Sequence, residues 1–468
     1  MEQLHYLPAH ELAGLIRKRE LKPSELMQSC LARIHKLNPK LNAFVAMRPE
    51  EALGEARALD EKIARKEEIG PLAGLPLGVK DLEDAAGLPT SLGSLPFKNN
   101  VPERDSVEVA RLRGAGAIVL GKTNAPEFGY TGFTKNLVYG VTRNPWNVER
   151  TPGGSSGGSS SAMASGLVPL ATGSDGGGSI RIPACYVGCF GLKPSFGRIP
   201  HEPMLGMQAW NDVSVLGPLT RTVRDAAMYM DAVVGYHPAD PDSLPHPGIS
   251  YQAVLERLPK KLRIAFHPDF NQIVQRDVAR EVAKAASVFK DLGHQVDVRE
   301  DVVPQTSEAW MRISGTQGLA MLHEYFEKYR DQFGRAFLSG TETAGRITWQ
   351  HYGKAYRQRA AFNEWIGGVF ARYDLLLTPT LPTEAFAAKG PPPSEINGSP
   401  LRDPLGAIAF TYPINLSGHP AASVRAGFTD AGLPCGLQIV AERHRDDLVL
   451  QASYAYEQAR PWNKWPEL

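Results

Sequence analysis

A chain of 468 residues, 43% hydrophobic and 22% charged, is long enough to bury a large core inside several layers of secondary structure. Its 51 Lys and Arg offset 50 Asp and Glu to leave a formal net charge of +1. With no basic stripe and no run of five like charges, a nucleic acid or other polyanion has nothing to hold, and no stretch of eighteen apolar residues offers a membrane span.

The N-terminus carries Glu2 and lacks the apolar stretch of a secretory signal, so a cytoplasmic setting is expected. Within residues 9–19, Leu12, Leu15 and Ile16 share one helical face. Pro23 stands where a first helical turn tolerates it. Leu26, Cys30, Ile34 and Leu37 then follow at helical spacing, and Asn38-Pro39 is expected to end that helix. Residues 41–47 read as a strand and 50–67 as a charge-rich amphipathic helix.

From about residue 75 the pattern changes to short apolar runs followed by helices. Leu75-Pro76-Leu77-Gly78-Val79 reads as a strand ending at Lys80-Asp81, residues 105–112 as a helix and 117–120 as the next strand. This alternation predicts an α/β sheet with covered faces. Residues 237–247, rich in Pro and Asp, read as a surface connection. Residues 262–266, 278–292 and 295–298 form a further strand–helix–strand unit, with later strands at 375–377 and 437–440. The four cysteines (Cys30, Cys185, Cys189, Cys435) are too few for a disulfide framework. Cys185 and Cys189 are spaced like half a zinc site, but no matching Cys or His pair follows, so buried reduced thiols are expected.

Two loops break the ordinary composition: Thr151-Pro152-Gly153-Gly154-Ser155-Ser156-Gly157-Gly158-Ser159-Ser160-Ser161 and Gly173-Ser174-Asp175-Gly176-Gly177-Gly178-Ser179-Ile180-Arg181. A flexible linker fits their glycine and serine content. However, the first runs into a small-residue helical segment and the second follows an apolar strand-like run. A phosphate-binding P-loop would need a lysine that neither supplies. Gly153-Gly154-Ser155-Ser156-Gly157 formally satisfies the nucleophile elbow of α/β-hydrolases, with His419 and His444 downstream, although residues 144–150 do not read as the required strand. The fourth reading is acyl transfer. Consecutive glycines at 176–178 leave backbone N–H groups unobstructed beside Ser179. A buried lysine at a strand end, as Lys80 is expected to be, can activate a hydroxyl once desolvation lowers its pKa. Bringing a lysine from about 10.4 to roughly 7 corresponds to on the order of 4–5 kcal/mol of differential solvation.

The two loops, together with Gly78-Val79-Lys80-Asp81, Gly121-Lys122-Thr123-Asn124, Asn144-Pro145-Trp146, Gly191-Leu192-Lys193-Pro194, the stretch from Gly217-Pro218-Leu219 to Arg224-Asp225, Asn415-Leu416-Ser417-Gly418 and Gly436-Leu437-Gln438-Ile439, resemble the amidase-signature family in order along nearly the whole chain. By that resemblance Ser179 is the nucleophile and Ser155 a bridging serine preceded by a cis peptide bond. Lys80 is the general base, and the N–H groups of Gly176, Gly177, Gly178 and Ser179 form the oxyanion hole. Asp175 and Arg181, with Ser156, would hold the two loops behind these groups, a role a structural salt bridge explains equally well.

The implied fold is one α/β domain over residues 1–468. A signature core at about 75–235 and a C-terminal half at about 260–460 together complete a large mixed, twisted sheet surrounded by helices, with no metal or cofactor. The triple glycine at 176–178 departs from the family's more usual Thr-Gly-Gly or Ile-Gly-Gly, opening space beside the hole. Gly129, Tyr130 and Thr131 match a segment that touches substrate, and residues 204–210, 310–317 and 340–352 supply aromatic and methionine side chains suited to pocket walls.

The resemblance implies a hydrolase of small or aryl amides acting through an acyl-enzyme on Ser179, with carbamates and esters as further substrates. Three alternatives stand beside it: a glutaminase-type subunit of a tRNA-dependent amidotransferase, an esterase using Ser155, and a non-catalytic binding protein. Oligomeric state is left open. Ser179→Ala should abolish turnover, while Ser155→Ala should impair it severely and leave folding intact. Full activity in Ser179→Ala would contradict the assignment.

Overall fold

The computed structural model describes residues 2–203 and 212–468; the expected pocket segment at 204–210 lies outside the described residues. Strands from both halves of the chain join one sheet of 11 strands. In chain order they are β1 (Phe44–Met47), β2 (Pro76–Lys80), β3 (Ile118–Thr123), β4 (Leu170–Asp175), β5 (Phe190–Lys193), β6 (Val215–Thr220), β7 (Arg263–Phe266), β8 (Gln295–Val298), β9 (Leu375–Pro379), β10 (Ala421–Phe428) and β11 (Pro434–Ala441). Their order across the sheet is β1-β3-β2-β4-β6-β5-β10-β11-β9-β7-β8. Pairing is mixed: β3, β2 and β4 run parallel, as do β9, β7 and β8, while the centre is antiparallel. Interior strands such as β2, β3 and β11 are buried at every position, as expected of a sheet covered on both faces. The edge strand β8 carries polar Gln295 and Asp297, which discourage pairing with another chain.

The parallel register decides where chemistry can occur. Leu77 pairs with Leu170 and Gly78 with Ala171, so β2 and β4 finish side by side at Lys80 and Asp175. Carboxyl ends of neighbouring parallel strands are the usual place for a ligand crevice in such sheets. The helix Gly157–Ala164 is buried at all its positions. Its small side chains let it settle against the sheet, with Ser159 Oγ 2.7 Å from Thr123 Oγ1. On the other side of the crevice the helices Ser307–Phe326, Arg335–Ala344 and Trp349–Phe370 pack together. An aromatic cluster including Phe97, Phe128, Phe326, Phe333 and Phe337 ties the first two of these helices to the signature region.

Most expected elements form within a few residues of their anticipated bounds. Asn38-Pro39 does not end its helix, which continues from Pro23 to Leu41. Pro39 removes one helical hydrogen bond, but that bond falls on an exposed face where water replaces it. Asn38 instead works as a bracket. Its Oδ1 accepts from the N–H groups of Ala43 and Phe44 at 2.9 and 2.8 Å, and Asn42 closes the helix in the left-handed region at φ 51. The four cysteines are buried and free.

Candidate active site

Lys80 ends β2 with none of its surface exposed. Its backbone N–H donates to Thr172 Oγ1 on β4 at 3.0 Å, which holds the strand end in register. Its Nζ lies 2.8 Å from Ser155 Oγ and 2.8 Å from Ser174 Oγ, with the Ser174 carbonyl at 3.4 Å. Burial pushes the amine down to about 7, against the opposing pull of Glu83 and Asp175. A lysine in that range is partly unprotonated near neutrality, and here it sits within hydrogen-bond distance of two hydroxyls. The Gly154–Ser155 peptide bond is cis, as the resemblance implied.

Ser156 joins the two glycine–serine loops. Its N–H donates to the Ser179 carbonyl at 3.1 Å, and its hydroxyl reaches the backbone of Ser174. Beyond β4 the glycine loop is oriented from behind. Trp310 Nε1 donates to the Gly176 carbonyl at 2.7 Å and Thr411 Oγ1 to the Gly177 carbonyl at 2.7 Å. Because a trans peptide is planar, fixing the Gly176 carbonyl aims the Gly177 N–H in the opposite direction. Gly178 departs from the expectation of an oxyanion donor: its N–H is given to Asp175 Oδ1 at 2.7 Å. Among the described residues, the N–H groups of Gly176, Gly177 and Ser179 are left without an acceptor.

Asp175 and Arg181 form a fully buried pair, 2.9 Å apart. Each nitrogen of the Arg181 guanidinium has a partner. Arg181 also reaches Gln438 Oε1 and Asn415 Oδ1, both at 2.6 Å, and Asn415 Nδ2 returns to the Asp175 carbonyl at 2.7 Å. Burial would raise the Asp175 pKa, but the charges of Arg181 and Lys193 and the surrounding hydrogen bonds outweigh it and hold the carboxyl well below the usual carboxylate range. A buried ion pair of this kind is stable only when its remaining lone pairs and protons are satisfied. Asn415 and Gln438 belong to sequence blocks that carried no assigned role, and Ser174 and Thr411 were missed. For Ser174 the signal was its place in the quoted loop; nothing local marks Thr411.

Ser155 and Ser179 line one cavity of about 90 Å³. Its walls include apolar Leu82, Phe128, Ile182, Leu216, Trp310 and Ile408. Gly129, Tyr130 and Thr131 border it, and Trp310 and Ser314 enter from the expected 310–317 segment. Residues 340–352 contribute no wall among the described residues; Trp349 there is 81% exposed. The nucleophile elbow does not form, because the segment before Ser155 contains no strand. His419 instead stacks on Phe370, and the His444 N–H donates to Ser195 Oγ. Nor are the loops linkers, since both lie largely buried between sheet and helices. Among the described residues no cluster of three or more His, Cys, Asp or Glu is placed to hold a metal ion, and no helix is long and apolar enough to cross a membrane.

The amidase family model matches residues 25–450 of the chain. An acylamidase from Rhodococcus erythropolis is 37% identical over 464 residues, covering 98% of this chain and 97% of that protein. A glutamyl-tRNA(Gln) amidotransferase subunit from Trichodesmium erythraeum (strain IMS101) is 36% identical over 474 residues, covering 95% and 96%. Among solved structures, a bacterial aryl acylamidase of the amidase signature enzymes superposes with a TM-score of 0.92 at 34% identity, over 98% of this chain and 97% of that one.

The glycine loop yields a position-specific test. A Cβ on Gly177 would lie 2.6 Å from the Trp310 ring, whereas one on Gly176 would meet nothing closer than 3.8 Å among the described residues. Gly177→Ala should therefore displace the loop and lower kcat by about 10²–10³-fold, the cost of losing an oxyanion donor. Gly176→Ala should stay within about threefold of wild type. Steady-state kinetics on both variants checks this; equal losses would contradict the geometry.

Proposed function

The chain belongs to the amidase family and is an amide-hydrolysing enzyme, and we propose that Ser179, Ser155 and Lys80 carry its chemistry. The observation that carries this reading is the 2.8 Å hydrogen bond between Ser155 Oγ and a lysine amine that burial holds near neutrality. Neutral Lys80 takes the Ser155 proton as Ser155 takes the proton of Ser179, whose oxygen adds to the substrate carbonyl. The N–H groups of Gly176, Gly177 and Ser179 receive the developing oxyanion. The same relay returns the proton to the leaving nitrogen as the C–N bond breaks, leaving an ester on Ser179 that water hydrolyses. Asp175, Arg181 and Ser156 hold the loops and take no part in proton transfer.

Small or aryl amides are the substrate class we favour. The cavity is compact and mostly apolar, and the named relatives include an acylamidase and an aryl acylamidase. Carbamates and esters fit the same acyl-enzyme route. Gly129, Tyr130 and Thr131 would contact the substrate. The amidotransferase reading rests on the relative at 36% identity, and glutaminase activity would favour it over the aryl-amide reading. We also read the chain as one domain, because a single sheet takes strands from both halves. A cytoplasmic setting fits its four free thiols.

The active form has neutral Lys80, so protonation must remove activity. With the amine near 7, kcat/KM should rise with pH through that value and level off above it. Below it the rate should fall about tenfold per pH unit. A pH–rate profile on an aryl amide checks this; a flat profile down to pH 5 would contradict a lysine base.

A further inference from the structure

Two glutamates behind the lysine are used by nothing described so far. Glu83 lies one turn beyond Lys80, with its N–H donating to the Lys80 carbonyl at 3.0 Å, and it is 4% exposed. Glu108 sits in the first turn of the helix Val107–Gly114 and is fully buried. None of their four carboxyl oxygens makes a well-formed hydrogen bond. What bears on them falls short of that: interactions between the two carboxyls, from Thr172 to Glu83, and between Glu108 and Tyr229, whose buried hydroxyl is likewise without a well-formed bond. Two carboxylates cannot both stay ionised so close together in such an enclosure, so the pair holds one proton and one negative charge at neutral pH.

The charges around the pair decide which member is ionised. Glu83 faces Lys80 and also Lys122, whose Nζ donates to the Glu83 carbonyl and, at 2.9 Å, to Thr90 Oγ1. Lys122 is itself 3.8 Å from Asp81 and feels Asp84. Among the described residues, Glu108 is faced by Glu83 and Tyr229. Burial raises both carboxyls, Glu108 further because the charge of Glu83 adds to it. Lys80 in turn is faced by Glu83, by Asp175, which Arg181 already neutralises, and by His201. We propose that Glu83 and Glu108 share one proton behind Lys80, and that ionised Glu83 is the positioning charge that sets the pH at which the lysine becomes a base. This rests on Lys80 acting as the base. Ionised Glu83 favours the ammonium form, so removing its charge should let Lys80 lose its proton at lower pH.

The test is kcat and kcat/KM, each against pH from 5 to 10, for wild type, Glu83→Gln, Glu108→Gln and the double variant. Glu83→Gln should move the alkaline limb down by on the order of one pH unit. One unit below the wild-type limb, it should then run several-fold closer to its own plateau. Glu108→Gln mimics the protonated acid and should leave the limb within a few tenths of a unit, and the double variant should follow Glu83→Gln. An unmoved limb in Glu83→Gln overturns the proposal. So does an equal shift in Glu108→Gln, or a change confined to KM, which would make Glu83 a substrate contact at the cavity it borders. Should Glu83→Gln fail to fold, infrared spectroscopy reads the pair directly. Burial also pushes the Glu457 carboxyl up to about 8, so the reading is a difference: one protonated-carboxyl band of the wild type at neutral pH should be lost in Glu108→Gln while that of Glu457 remains, and an unchanged carboxyl region overturns the sharing. A wild type with no alkaline limb would sink the lysine base instead, and the infrared band would then decide on the pair alone.

Discussion

The rest of the site depends on one amine kept out of water. Lys80 stands at the end of β2 between parallel neighbours β3 and β4, and its side chain meets hydroxyls rather than solvent. Lowering a lysine from about 10.4 to about 7 reflects on the order of 4–5 kcal/mol of lost solvation in the charged form. Three things have to be supplied for that to persist in a folded protein: a strand end that cannot shift, covered faces on the sheet, and hydrogen-bond partners suited to a neutral amine. The Thr172 hydroxyl secures the first, the buried helix Gly157–Ala164 contributes to the second, and Ser155 and Ser174 provide the third.

A second enclosure faces the first. Where Lys80 is buried and kept close to neutral, Asp175 and Arg181 are buried and kept charged, each satisfied by the other and by Asn415 and Gln438. Removing one partner of such a pair costs about 3–5 kcal/mol, because the other is left uncompensated. Its contribution to the chemistry is indirect. Asp175 draws the Gly178 N–H inward, Trp310 and Thr411 hold the carbonyls before it, and the remaining N–H groups are thereby left to face outward. Rigidity at the loop thus comes from residues as distant in sequence as 310, 411 and 438.

Much of this was legible in the residues. The strand before Lys80 and the composition of the two glycine–serine loops pointed to Ser179 and a buried lysine, because backbone-dominated loops announce themselves by composition, and the resemblance to the amidase-signature family added Ser155 between them. What was not legible depends on tertiary packing. Neither Glu83, three residues past Lys80, nor Glu108 carries a sequence pattern that marks it as buried. Their burial is a product of tertiary packing, in which the helix Val107–Gly114 meets the helix Val223–Val233. The capture of the Gly178 N–H by Asp175 is likewise a matter of where one carboxylate turns. Aromatic content at 340–352 gave no hint of which way those rings face, and Trp349 faces water. Pro39 misled because a helix-breaking residue is tolerated in an exposed last turn.

The central claim is that Ser179 is a nucleophile activated through Ser155 by a neutral Lys80. Its most direct test is intact mass after treatment with a serine-directed fluorophosphonate, followed by peptide mapping, in wild type and Lys80→Ala. A single adduct on Ser179 that disappears in Lys80→Ala is the expected result. An adduct on Ser155 or Ser156, or labelling of Ser179 that is undiminished without Lys80, would contradict it.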